Sequence, residues 1–162
     1  MADVPPEMFE QARLGPTLEA AKEYGVEHLD EFGGVYLARD PVRVVFLATA
    51  RLDRHREALR DRVSHPDRVE VRRGRHTERQ IRVWLDEVYQ RLHDRSQALS
   101  VTSWGEGLGE AGFTVQVTIW PWSEDAADRI RSELAPIPIE VEAMPPPTRF
   151  ARTRTATHPR SQ

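Results

Sequence analysis

Apolar residues recur along the chain in two rhythms, and the order of those rhythms predicts the elements. In VRVVFLAT, Val42, Val44, Phe46 and Ala48 share one face while Val45 and Leu47 lie on the other. A near-continuous apolar and β-branched run of this kind indicates a central strand buried on both sides. VYLAR, ahead of it across an Asp40-Pro41 turn, reads as a short strand. RLDRHREALRDRV places Leu52, His55, Leu59 and Val63 on one stripe with charges elsewhere, the pattern of a surface helix. RVEVR then alternates, with Val69 and Val71 inward, as a half-buried strand. In HTERQIRVWLDEVYQRLHDRS, Ile81, Trp84, Leu85, Val88 and Leu92 repeat at helical spacing, and Trp84 reads as a core anchor. Thr77 and Gln80 have the spacing of a capping box, which satisfies two backbone N–H groups at a helix start.

The series then repeats. ALSVTSW reads as a strand, GEGLGEAG as a loop, and FTVQVTIW as a strictly alternating strand. Ser123, Glu124 and Asp125 open a helix with a cap and two acids at its positive end. Ala127, Ile130 and Leu134 face inward along it, and IPIEVEA closes the series as a strand. Ahead of everything, residues 1–31 read as a helical segment that Gly15-Pro16 interrupts before a further set of turns over 17–24. The chain is thus an internal duplication with an offset of about 70 residues. The predicted fold class is α+β, in two similar strand–strand–helix–strand halves, each preceded by a helix, with antiparallel sheets covered by helices on one side. The halves span 32–76 and 97–143, the helix of 77–96 connects them, and the Pro- and Arg-rich stretch 144–162 reads as a disordered tail.

Composition narrows the chemistry. The 162 residues include no Cys, which removes disulfides, thiolate catalysis and thiolate metal sites. Lys22 is the only lysine, so no P-loop lysine is available elsewhere. No apolar run approaches the ~20 residues of a membrane span. The N-terminus lacks the basic and apolar regions of a signal peptide, from which a cytoplasmic location is expected. The net charge of -3 conceals an asymmetry: residues 1–40 carry nine acidic and three basic side chains, residues 51–95 thirteen basic and nine acidic ones.

GLGEAG (107–112) matches the G-x-G-x-x-G fingerprint of dinucleotide binding literally. That motif needs a helix directly after the glycines, so that the pyrophosphate rests on its N-terminus. Here a strand follows, Glu106 and Glu110 would repel phosphate, and the expected structure is a flexible hairpin loop over 105–112. The six His are scattered, no carboxylate pair lies in an apolar setting, and no nucleophile elbow surrounds Ser100 or Ser103. His55 reads as a hydrogen-bonded core histidine. No catalytic residue, cofactor or metal site is assigned, and the protein is expected not to be an enzyme.

The second sheet offers a surface instead. If Phe113, Val115, Val117 and Ile119 face the helices, Thr114, Gln116, Thr118 and Trp120 face away, joined by Thr102, Trp104, Glu140 and Glu142. Trp122 sits at the edge of this face. Tryptophan adds large contact area at little entropy cost, so the face suits a protein partner, with Trp104, Thr114, Gln116, Thr118, Trp120 and Trp122 as its residues. The alternative is a cytoplasmic regulatory protein that holds nucleic acid with the Arg-rich helices of 51–95 and the basic tail. No membrane span is expected, and the oligomeric state is left open.

FGGVYLARDPVRVVFLAT, a helix, RVEVRRGRHTERQIRVWLDEV, and then ALSVTSWG followed by FTVQVTI resemble the pro-region of streptogrisin and alpha-lytic-type serine proteases. The parallels are the Gly-Gly before a short aromatic strand, the apolar strand ending in Thr, and the helix entering from RHT. The resemblance covers roughly residues 32–141 and extends to uncharacterised secreted or lipid-anchored actinobacterial proteins. It implies a folding catalyst and inhibitor whose C-terminal sheet pairs with a protease, here over residues 114–120. It would also allow secretion. The resulting expectation is a non-catalytic binding module, similar to a free-standing pro-region, acting through a sheet surface.

Overall fold

The computed structural model describes residues 6–145; residues 1–5 and most of the expected tail, from 146 onward, lie outside it. The helix with the clearest periodicity, α3 (Glu78–Leu92), starts where the capping box places it. The Thr77 backbone N–H donates to Gln80 Oε1 at 2.9 Å, and the Gln80 N–H donates to Thr77 Oγ1 at 3.1 Å. Ile81, Val88 and Leu92 are its fully buried residues. Trp84 packs against the second core as expected of an anchor, but it is not fully buried. It is half-buried at the rim, edge-to-face with His76 at 4.8 Å between ring centres.

Around α3 the elements run α1 (Pro6–Val26), β1 (Phe32–Arg39), β2 (Val42–Ala48), α2 (Leu52–Arg62) and β3 (Val69–Arg73), then β4 (Val101–Gly109), β5 (Gly112–Ile119), α4 (Glu124–Leu134) and β6 (Ile139–Ala143). The fold is α+β, with two three-stranded sheets in the orders β1-β2-β3 and β4-β5-β6. The expectation of antiparallel sheets is corrected. β1–β2 and β4–β5 are antiparallel hairpins, but β2–β3 and β5–β6 are parallel, so both sheets are mixed. Parallel neighbours need a crossover, and α2 and α4 supply it.

The duplication extends to the register. Each hairpin carries one irregularity at the same place, between Phe32 and Gly34 in the first and between Val101 and Ser103 in the second. Val44 pairs with Val69 in one parallel ladder as Val115 pairs with Ile139 in the other. Each half also has its own core. Leu14, Ala21 and Tyr24 of α1 and Leu59 of α2 pack on Val44, Phe46 and Ala48. Ile81, Val88, Ala127, Ile130 and Leu134 of α3 and α4 pack on Val115, Val117 and Ile119.

Two local expectations are overturned. α1 does not break at Gly15-Pro16 but continues through Pro16 to Val26. Leu14, Thr17, Ala21 and Tyr24 are buried on one stripe against the first sheet, while Pro16 and Ala12 face solvent. The carbonyl that Pro16 leaves unbonded, that of Ala12, is on the wet side, and the packed stripe outweighs the local penalty. The glycine-rich stretch is not a loop either. β4 runs through Gly105, Gly107 and Gly109, and only Glu110 and Ala111 form the turn. GLGEAG is therefore strand–turn–strand, with no helix for a pyrophosphate to rest on. Among the described residues no helix is long and apolar enough to cross a membrane.

Candidate functional site

Sheet register decides which side chains the second sheet turns outward. Val115, Val117 and Ile119 are fully buried beneath the helices, so Thr114, Gln116 and Thr118 project from the opposite face. Ser103 pairs with Thr118, Gly105 with Gln116 and Gly107 with Thr114, and these residues share that face. Glu140 and Glu142 join it opposite Gln116 and Thr118. Thr114 lies on it but is only 8% exposed. Trp120, just past the end of β5, is 59% exposed and Trp122 43%.

Trp104 is a correction. It pairs with Val117, which puts it on the helix-facing side, half-buried against the second core and 6.4 Å from the Tyr89 ring. Thr102 stands in the irregular stretch between Val101 and Ser103, where its Oγ1 donates to the Thr118 carbonyl at 3.0 Å. A bulge of one residue reverses the facing of everything beyond it, and the alternating pattern of β4 alone does not reveal where one falls.

The glycines have a use that the sequence did not disclose. A Cβ on Gly107 would fall 1.8 Å from Gln116 Oε1, and one on Gly109 would fall 2.6 Å from Glu140 Oε1. The missing side chains let Gln116 and Glu140 lie flat across β4. From there the Gln116 amide nitrogen donates to Glu142 at 3.2 Å and to Glu140 at 3.5 Å. The face is a flat polar floor with two carboxylates held by one amide and two exposed indoles beside it.

His55 is the hydrogen-bonded core histidine expected, but its partners come from distant stretches of chain. Its ring, 1% exposed, lies 2.8 Å from the Tyr24 hydroxyl through Nδ1 and 3.0 Å from Glu31 through Nε2. A neutral ring protonated on Nε2 satisfies both, accepting from Tyr24 and donating to Glu31. Arg51 pairs with the other Glu31 oxygen. Burial pushes His55 below the ordinary histidine range, with His28, Arg51 and Arg54 adding to the effect. Burial likewise raises Tyr24 above the ordinary tyrosine value. Tyr24, Glu31 and His55 thus tie α1, the turn before β1 and α2 together at the edge of the first core.

The Arg-rich segment finds partners within the fold. Arg51 pairs with Glu31, Arg62 with Glu27, Arg68 with Glu10 and Arg79 with Asp30. The acidic excess of residues 1–40 and the basic excess of 51–95 thus meet across the first half. Among the described residues no group of three or more His, Asp or Glu is placed to hold a metal ion. No protein-family model matches the chain, and no curated protein matches it significantly.

Proposed function

We propose that the chain is a non-catalytic protein-binding module that docks a partner through the outer face of β4, β5 and β6, in the manner its resemblance to protease pro-regions implies. One observation supports this reading above the others: the contrast between the outer faces of the two sheets. On the first sheet, Val45 and Leu47 point away from the helices and are buried all the same, at 0% and 3% exposure. On the second, the equivalent face carries Gln116, Thr118, Glu140 and Glu142, open to solvent beside Trp120. A partner for this face carries Arg or Lys opposite the carboxylates and an apolar group against the indole. The nucleic-acid alternative draws less support, because acidic side chains of the same half already occupy several of its arginines.

The test is inhibition of a streptogrisin-type serine protease by the intact chain, with Trp120→Ala and Glu142→Arg as variants. The expected result is inhibition that each variant weakens at least fivefold while the thermal midpoint stays within about 1 °C, since both side chains are exposed. No inhibition by the parent chain, or inhibition indifferent to both substitutions, overturns the reading. Retardation of DNA or RNA that persists in Trp120→Ala and collapses with added salt would favour the alternative instead.

A further inference from the structure

The second sheet ends on an open edge at β6. In the order β4-β5-β6 that strand is outermost, and among the described residues no further strand pairs with it. Such an edge presents a row of backbone N–H and C=O groups that can template another extended segment. Its apolar side chains are also incompletely covered. Val115, Val117 and Ile119 of β5 are fully buried, yet their partners Ile139 and Val141 are only half-buried and Ala143 is exposed. On the outer face Glu140 and Glu142 stand two residues apart. Among the described residues, the partner of both carboxylates is the Gln116 amide.

The chain itself continues from this edge. The Met144 N–H donates to the Ile119 carbonyl at 3.1 Å, so the backbone leaves β6 still joined to the end of β5. Pro145, Pro146 and Pro147 follow, and they have no N–H to give a ladder. After them comes TRFARTRT, residues 148–155, with three arginines and no acid. In an extended chain Phe150, Arg152 and Arg154 share one side, and Ala151, Thr153 and Thr155 the other. A loop over 145–149 has a length that hairpins use, and it returns the segment antiparallel to β6. Arg152 then stands opposite Glu142, Arg154 opposite Glu140 and Phe150 opposite the exposed Met144. The same register sets Ala151 against Ala143, Thr153 against Val141 and Thr155 against Ile139. Opposite charges and β-branched neighbours in directly opposed positions stabilise antiparallel pairs. A slip of one residue would turn the arginines onto the apolar row, so charge and apolar pattern select one register. Composition alone reads this stretch as a tail without structure, but composition does not include the edge it leaves from.

We propose that residues 150–155 of this chain add to the free edge of β6 as a fourth, antiparallel strand of the second sheet, with Arg152 and Arg154 paired to Glu142 and Glu140. One consequence rests on the docking reading: these arginines compete with a basic partner for the two carboxylates. The strand itself does not depend on that reading.

The test uses the isotopically labelled full chain with no protease present, so its outcome leaves the inhibition experiment untouched. Nuclear Overhauser contacts are expected between Val141 and Thr153 and between Glu142 and Arg152, with slowed hydrogen exchange at the β6 amides that point to the free edge. In a mixture of differently labelled copies, the contacts should arise within one copy only. Arg152→Glu with Arg154→Glu should lower that exchange protection by about three- to tenfold, the scale of two exposed cross-strand ion pairs. Adding Glu140→Arg and Glu142→Arg to this variant should restore it, which general damage would not do. Glu106→Gln, on β4 at the opposite edge, should leave it unchanged. Absence of contacts between β6 and residues 150–155, contacts only between copies, a charge-reversed variant as protected as the parent, or a charge swap that restores nothing overturns the proposal.

Discussion

Tyr24, Glu31 and His55 show how much one buried polar residue can organise. Each partner satisfies another, so removal of one member leaves its neighbour unpaired. Tyr24→Phe keeps the ring volume but leaves His55 Nδ1 without its donor inside the core. The expected cost is about 1–3 kcal/mol, the penalty for an unsatisfied buried acceptor, read from the midpoint of urea unfolding. The same network predicts a pH dependence. His55 titrates near ~6.5 when unfolded but below its ordinary value when folded, so the unfolded chain binds more protons between those two points. His76, also lowered by burial and by Arg75, acts in the same direction. Their contribution is complete above the unfolded value and is lost as pH falls through it toward the folded one. Stability measured by urea unfolding should therefore decline from pH ~7 to ~5. His55→Gln should flatten that slope, and a parent protein equally stable at both pH values would contradict the assignment.

Among the elements, two helices are started by local side-chain chemistry, and the first is sustained by packing. α3 and α4 begin on side-chain caps, Thr77 with Gln80 in one and Ser123 accepting from the Ala126 N–H in the other. Thr77→Ala should cost about 1 kcal/mol, the usual worth of an N-cap. α1 is held by its buried stripe in spite of Gly15 and Pro16. A Cβ on Gly15 would meet nothing within 4 Å, and its backbone is not left-handed. Gly15→Ala should therefore stabilise the protein by about 0.5–1 kcal/mol, through reduced freedom of the unfolded chain and better helix propensity. Denaturant midpoints of the two variants should move in opposite directions. A destabilised Gly15→Ala would mean that the turn at Gly15-Pro16 is needed as a bend.

On the scale of the whole molecule, the two halves meet through small residues. Gly34, with φ 110°, lies beneath the Phe113 ring, and that ring stands edge-to-face with Tyr36 at 6.0 Å. Gly112, with φ 106°, lets the tip of the second hairpin approach Leu47 and Gly74, where the Arg75 N–H donates to the Ala111 carbonyl at 3.0 Å. Gly34→Ala meets both a left-handed backbone and a ring in its way. The expected loss is about 2–5 kcal/mol, from the conformational penalty and overpacking together. Gly105→Ala, in a strand with nothing within 4 Å of the added carbon, should be close to neutral. Thermal midpoints of the two variants give the contrast, and equal effects would show that the halves do not depend on this junction.

Much of this was legible in the chain itself. The repeated αββαβ order, the central strands, the inward stripes of α2, α3 and α4 and the capping box at Thr77 all follow from patterns within a dozen residues. Such patterns express a local choice, since a helix or strand must place its apolar positions on one face to be buried at all. What the tertiary structure alone decided depends on residues far apart in sequence. Whether β6 runs parallel to β5 is a matter of how the crossover closes. Trp104 turned inward because of a one-residue irregularity that leaves no mark on the alternation of β4. The glycines of 105–109 became a strand because their backbone pairs with residues 112–116 of β5, which leaves room for Gln116 and Glu140 to lie across them. Glu31 became the partner of His55 only where α2 lies against the turn before β1, and Glu10 the partner of Arg68 only where α1 packs beside the following segment. Register, pairing and long-range charge contacts are properties of the assembled core, because their energy exists only between elements that folding has already brought together.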